Sequence, residues 1–303
     1  MRKMNRRMRI FQVDAFTAQH FNGNPAGVVL DAEHLSETEL QAIAREMRGG
    51  DTAFVLPPDA EDHDLRVRFY TPRAETAFVG HATLAVHAVR AELGLPQALR
   101  QKQRNGIIDV GALQGPQGRR YFFSQPPPPL HGAIDANGLS AMLAALRLDA
   151  TDLDPLCPAV MAGERRARAL IAVRDGTVLA RLRPDLAQLA ALSAAGHPPG
   201  YFVFTRSPAV PDCDTEARMF CPAIGIDEDP VSGNAHALLA MHLHALKLVP
   251  VRNAVLGFIG RQGHHVGRPG TVGVTMHRAG EAIASVRVEG SAVIAFEATL
   301  DLR

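Results

Sequence analysis

Residues 9–17, RIFQVDAFT, alternate apolar and polar side chains with the period of two expected of a half-buried strand. The segment FNGNPAGVVL follows as a Gly/Pro turn leading into a β-branched run, a second strand. LSETELQAIAREMRGG then changes to helical spacing. Its start is marked by the capping-box pair Ser36 and Glu39, flanked by Leu35 and Leu40 at the positions of a hydrophobic staple. Gly49 and Gly50 stop this helix, so DTAFVLP begins a strand at Asp51. Four prolines in QPPPPL, residues 125–130, fix an extended connection and mark a boundary. Beyond it LSAMLAALRL and LAQLAALSAA read as helices and YFVFTRS as a strand, and after residue 270 TVGVTM, ASVRVEG and AVIAFEATL alternate as strands.

Two stretches repeat one plan. VRFYTPRAETAFVGHATLAVH (67–87) and ARMFCPAIGIDEDPVSGNAHALL (217–239) both carry Arg, an aromatic and Pro in the same order, at Arg68, Tyr70 and Pro72 and at Arg218, Phe220 and Pro222. Each then passes through an acidic loop to a glycine, Gly80 or Gly233, a polar residue, His81 or Asn234, and an Ala-rich helix. The two glycines lie about half the chain apart, as a duplication requires. The expected fold class is therefore α+β: two similar domains, each a mostly antiparallel or mixed sheet curled around a central helix. The expected boundaries are a disordered basic tail at 1–8, a first domain at 9–124 and a second at 130–303.

Bulk properties narrow the function classes. A chain of 303 residues with 47% hydrophobic and 21% charged residues has the material for two packed cores. A net charge of +1 supplies no field for a polyanion, which argues against nucleic acid. No apolar run reaches the roughly 18 residues of a membrane span, and no hydrophobic stretch follows the basic start as a secretory signal would need. Cys157, Cys213 and Cys221 are odd in number and lack CxxC spacing, so they read as reduced thiols of a cytoplasmic protein.

DEDPVSGNAHALLAMHLH, residues 227–244, sets three carboxylates before a Gly turn and a helix. The first N–H groups of a helix have no intrahelical partner and sit at the positive end of its dipole, so such a start holds a carboxylate or enolate oxygen. Two such starts, facing one cleft between the halves, would grip a small anion while nearby acids move protons. Alternatively, Asp227, Glu228 and Asp229 are solvent-facing acids of a first turn. His236, His242, His244, His264 and His265 lack metal-ligand spacing, since 242 and 244 do not share a helix face; no metal is expected.

GNPAGVV (23–29), GDTAFV (50–55), RFYTPRAETAFVGHAT (68–83), DEDPVSGNAH (227–236) and GRPGTVGV (267–274) resemble the ordered blocks of the PhzF family of phenazine-biosynthesis-like isomerases, whose fold is similar to that of diaminopimelate epimerase. The resemblance spans nearly the whole chain. It implies an active site in the interdomain cleft, no cofactor, a small carboxylate-bearing substrate and a homodimer. The family's catalytic acid lies in a Ser-Glu-Thr triplet, which here is Gly50, Asp51 and Thr52; the carboxylate is kept one methylene further back. By the same resemblance His81 and Asp229 are catalytic, while Asn24, Gly80, Ser232, Gly233 and Asn234 bind substrate. Asn234 stands where Ser is more usual.

The expected function is a cofactor-independent isomerase that moves a proton within its substrate by general acid/base catalysis. Two alternatives stay open: a non-catalytic small-anion binder on the same fold, and a racemase or epimerase that does not use cysteine. A cysteine mechanism needs a thiol just before each helix-start glycine, where this chain has Val79 and Ser232.

Overall fold

The computed structural model describes residues 6–115, 118–164, 167–252 and 255–302. The chain forms two compact units, Met1–Ser124 with Glu289–Arg303, and Gln125–Val288.

Unit 1 contains β1 (Arg6–Ala15), β2 (Asn24–Val29), helix α1 (Glu37–Glu46), β3 (Asp51–Leu56), β4 (Leu65–Tyr70), β5 (Glu75–Thr76), helix α2 (Gly80–Glu92), β6 (Arg100–Gln103), β7 (Gly106–Gly115) and β8 (Gly118–Gln125). The expected capping box closes α1: Glu39 N–H donates to Ser36 Oγ at 3.4 Å and Ser36 N–H donates to Glu39 Oε2 at 2.8 Å. Leu35 and Leu40 share one apolar cluster with Ile10, Val29, Phe54 and Tyr70, which seats α1 on the outer face of the sheet. α2 is apolar on every side, with Ala82 to Val89 buried, and a helix of that kind must be enclosed. It packs on β1, β2 and β3. In the sheet β2 runs parallel to β3, β3 antiparallel to β4, β4 parallel to β6 and β6 antiparallel to β7.

Unit 2 contains β9 (Leu130–Ala133), α3 (Ala136–Leu146), β10 (Val160–Ala162), β11 (Arg168–Ala172), α4 (Gly176–Arg181), α5 (Leu186–Ala194), β12 (Tyr201–Thr205), β13 (Thr215–Cys221), β14 (Ile226–Asp229), α6 (Gly233–Ala245), β15 (Val251–Arg252), β16 (Val255–Gln262), β17 (Gly270–Ala279) and β18 (Ala282–Gly290). The pairing order repeats that of unit 1: β11 parallel to β12, β12 antiparallel to β13, β13 parallel to β16 and β16 antiparallel to β17. α6 holds the place of α2, buried along one side of β16 and β17. Leu143, Leu146, Leu179 and Leu189 from α3 to α5 cover the other face over Ile171, Tyr201 and Phe220.

Two boundaries differ from the sequence reading. The last strand, β19 (Ala292–Leu302), does not stay with the second half; it pairs antiparallel with β1 from Arg6↔Leu302 to Ala15↔Ala292 and so belongs to unit 1. The same ladder orders Arg6, Arg7 and Met8, which the sequence assigned to a disordered tail, because a paired edge gives their backbone groups partners. Residues 1–5 of that tail lie outside the described residues.

Candidate active site

α1 ends at Met47, and the chain turns through Arg48 (φ 37°) and Gly50 (φ 151°) into β3. A Cβ on Gly50 would stand 2.2 Å from the Pro25 carbonyl oxygen, so only glycine lets the two segments run this close. The effect is to lay Gly50–Asp51 against Asn24–Pro25 and set the parallel register Ala26↔Asp51. Asn24 is buried and Asp51 half-buried at the head of its strand.

The start of α2 comes to the same place. Its cap position is Val79, which has no side chain to accept from the first-turn N–H groups. Thr83 Oγ1 donates to Val79 O at 2.9 Å and stiffens the turn. His81, the second helical residue, brings Nε2 to 3.9 Å from Asp51 Oδ2. Burial pushes the imidazole pKa down to about 4, so the ring is neutral at pH 7 and the contact is not an ion pair. The separation is too long for a direct hydrogen bond, and His81 Nε2 is buried with no hydrogen-bond partner among the described residues. A ligand oxygen placed about 2.8 Å from each would give His81 Nε2 a partner and touch the Asp51 carboxylate.

In unit 2 the acidic run lies on β14 rather than in a helical first turn. Asp227 is exposed, and Glu228 is taken by Arg218, with Nε donating to Oε1 at 3.0 Å and Nη2 to Oε2 at 2.7 Å. Unit 1 repeats the arrangement with Arg68 and Glu75 at 2.7 and 3.0 Å. Of the three acids, then, Asp229 is the half-buried one next to the helix start that is not held by this clamp. Ser232 caps α6, its Oγ accepting the Ala235 N–H at 3.3 Å. Asn234 Oδ1, at the position equivalent to His81, is buried with no hydrogen-bond partner among the described residues.

The structure thus groups Asn24, Asp51, Gly80 and His81 in unit 1, and Asp229, Ser232, Gly233 and Asn234 in unit 2. Sequence reasoning missed Gln262. Its Nε2 donates to Asp229 O at 2.7 Å and its Oε1 accepts the Ser232 N–H at 3.1 Å, tying both ends of the Asp-Pro turn. His236 Nδ1 donates to Ser232 O at 2.8 Å and supports the same turn from beneath. No local pattern marks Gln262, since about thirty residues separate it from its partners.

Among the described residues no three His, Cys, Asp or Glu side chains gather as metal ligands would. His242 Nε2 instead contacts Cys157 Sγ at 3.4 Å in the core. All three thiols are buried, their pKa values pushed up to about 12 for Cys157 and Cys221 and about 11 for Cys213, which leaves no ready thiolate. No helix among the described residues is long and apolar enough to cross a membrane.

A family model described as phenazine biosynthesis-like protein, PhzC-PhzF, matches residues 13–298. The chain belongs to the PhzC-PhzF family. Within this family it is 37% identical over 292 residues to the uncharacterized isomerase YddE of Escherichia coli (strain K12), covering 96% of this chain and 97% of that one. It is 29% identical over 297 residues to the trans-2,3-dihydro-3-hydroxyanthranilate isomerase of Pseudomonas aeruginosa, covering 93% and 95%. Among solved structures it is similar to the PhzF-family phenazine biosynthesis protein of Bacillus anthracis, with a TM-score of 0.83, 24% identity and coverage of 97% and 99%; this likeness speaks for the fold. With PhzC-PhzF relatives that carry isomerase names along the full length, the protein is an enzyme of the isomerase class.

Proposed function

We propose that this protein is a cofactor-independent isomerase that moves a proton between two carbons of a small carboxylate-bearing substrate, with Asp51 as the proton carrier. The observation that carries the reading is the gap at the head of β3, where a carboxylate oxygen and a buried, unpartnered imidazole nitrogen stand 3.9 Å apart. Asp51 takes a proton from a carbon next to a double bond, the bonding electrons shift along the allylic system, and the same carboxyl returns the proton to the far carbon. Atoms and charge balance without a co-reactant. His81, held neutral, hydrogen-bonds the substrate oxygen on which charge gathers, and a neutral donor does so without quenching the carboxylate beside it. The first-turn N–H groups of α2 are suited to hold the substrate carboxylate; unit 2 carries a second helix start of the same kind at Gly233–Asn234, and Asp229 beside it is an acid able to hold or relay a proton.

Relative to the family's glutamate, Asp51 reaches one methylene less far. A side chain at position 50 would run into Pro25 O, so the hydroxyl of the family's triplet has no counterpart here. This favours a substrate other than the one named for the Pseudomonas relative. The test is proton NMR in D2O on a panel of small unsaturated and hydroxylated carboxylates, with trans-2,3-dihydro-3-hydroxyanthranilate as reference. Wild type should incorporate solvent deuterium at two carbons of one panel member. Asp51→Asn should lose about 10²–10⁴-fold of that rate while binding stays within about tenfold. Exchange by Asp51→Asn at the wild-type rate would sink the assignment. Tight binding by the wild type with no exchange would mark a binder, and inversion at a single carbon an epimerase.

A further inference from the structure

The far end of α2 borders a second feature, independent of the proposed reaction. A cavity of about 410 Å³ is lined there by His87 and Arg90 of the helix, Gln97 of the following loop, and Gln114 and Arg119 of the β7–β8 hairpin. That volume falls in the range of about 300–1,000 Å³ typical of small-molecule pockets. Among the described residues no carboxylate lines it. Arg90 Nη2 donates to Pro96 O at 3.0 Å, which fixes the guanidinium, yet Arg90 Nε is buried with no hydrogen-bond partner among the described residues. A buried N–H on a cation is costly to leave unpaired, so the atom is placed for an oxygen that the described residues do not supply.

The acid nearest in charge effect is otherwise engaged. Asp64 attracts Arg90 through space, but its Oδ2 accepts the backbone N–H groups of Leu99 and Arg100 at 2.7 and 2.8 Å. Glu92, two residues beyond Arg90, is exposed to solvent. Partial burial lowers the Arg90 pKa, since desolvation disfavours the charged guanidinium.

We propose that this cavity binds a small anionic molecule, its oxyanion group held between the Arg90 and Arg119 guanidinium groups and its body against Leu95 and the hairpin wall. Guanidinium pairs of this kind recognise carboxylates and phosphates through charge-assisted hydrogen bonds. The site has a physical route to the other end of the helix. His87 Nε2 donates to Gln101 Oε1 at 3.1 Å, Gln101 Nε2 to Thr83 Oγ1 at 3.5 Å, and Thr83 Oγ1 to Val79 O at 2.9 Å, immediately before Gly80 and His81.

Titration calorimetry at low ionic strength with inorganic phosphate and with succinate, on wild type, Arg90→Gln and Arg119→Gln, tests the proposal, alongside crystals grown with selenate. Saturable binding of either anion is expected, weakened about tenfold or more in each variant, with an anomalous selenium peak between the two guanidinium groups. The tighter of the two probes assigns the oxyanion as phosphate or carboxylate. Arg119 is exposed, so its variant keeps the test interpretable if Arg90→Gln fails to fold. Binding that never saturates, equal affinity in wild type and Arg119→Gln, or selenium peaks found elsewhere alone would overturn the proposal and leave an adventitious ion only.

Discussion

At the start of α2 the cap position is Val79, which offers no acceptor, whereas at the start of α6 Ser232 Oγ takes the Ala235 N–H and Gln262 clamps the turn on both sides. The residue after the glycine is His81 in one case and Asn234 in the other, and each buries a polar atom without a partner among the described residues. Beneath this difference the scaffold repeats closely. Arg68 and Arg218 each grip a glutamate with both nitrogens and lie over an aromatic ring, Tyr70 at 5.4 Å and Phe220 at 5.0 Å. Asp64 and Asp214 each accept backbone N–H groups from the next parallel strand. Duplication therefore preserved what holds a helix start in position and left free what the start presents. In our reading unit 1 presents the acid and the neutral imidazole, and unit 2 a rigid anion-holding turn.

The sharpest test of scaffold equivalence removes the arginines. The Arg218–Glu228 pair is about 7% and 10% exposed, and Arg218 Nη1 also donates to Leu182 O at 2.8 Å, whereas Arg68 and Glu75 are about 30% and 26% exposed. Arg218→Ala should cost about 3–5 kcal/mol by leaving a buried charge unpaired, and Arg68→Ala about 1 kcal/mol or less because water screens that pair. Urea denaturation of the two variants gives the answer; equal losses would show that the two clamps do not differ in burial as described.

The functional asymmetry is next in size. His81→Gln should lower kcat by about a hundredfold with KM changed little, while Asn234→Ala should act mainly on KM. Steady-state kinetics on the substrate found by exchange separates these, and a reversed pattern would exchange the proposed roles of the units. Because His81 is neutral down to about pH 4, the rate profile between pH 5 and 8 should show no limb from it.

Stability should follow pH through three largely buried histidines, His81 and His87 in unit 1 and His236 in unit 2, each with a pKa pushed down to about 4 by burial. In the unfolded chain they titrate near pH 6.5, so between 6.5 and 4 the unfolded state binds more protons and stability falls as pH falls. Each should cost of order 1–3 kcal/mol over that window. His87→Gln should flatten the curve measured by urea unfolding from pH 7 to 4; an unchanged slope would show that its imidazole is already accessible to protons.

The smallest effect concerns the outer helices. Ser36→Ala on α1 and Asp185→Ala on α5, where Asp185 Oδ1 accepts the Gln188 N–H at 3.0 Å, should each cost about 1 kcal/mol. Thermal melts resolve that much, and a much larger loss in either would show that the cap also anchors its helix to the sheet.

Much of the local structure and part of the site could be read from the chain. The capping box of α1, the strand beginning at Asp51, the helix starts at Gly80 and Gly233 and the paired Arg-aromatic-Pro segments rest on contacts within a few residues, or on one segment compared with another. The acidic run was only half legible. Its three carboxylates look alike in sequence, and the arginine that takes Glu228 lies ten residues away across a strand pair.

What the sequence alone determined is what short-range sterics and hydrogen bonding encode: where elements begin and end, which faces are apolar, and that one plan occurs twice. Tertiary structure decided the partners that closing a sheet brings together from distant parts of the chain. β19 joins β1 because an unpaired strand edge needs backbone partners, and no nearer segment supplies them along that side. Gly50 must be glycine because Pro25 O lies 2.2 Å from where a Cβ would stand, a constraint that the parallel register of β2 and β3 imposes. The His81 imidazole is neutral because folding buries it, and desolvation, which depends on everything packed around a group, cannot be read from the residues beside it in sequence.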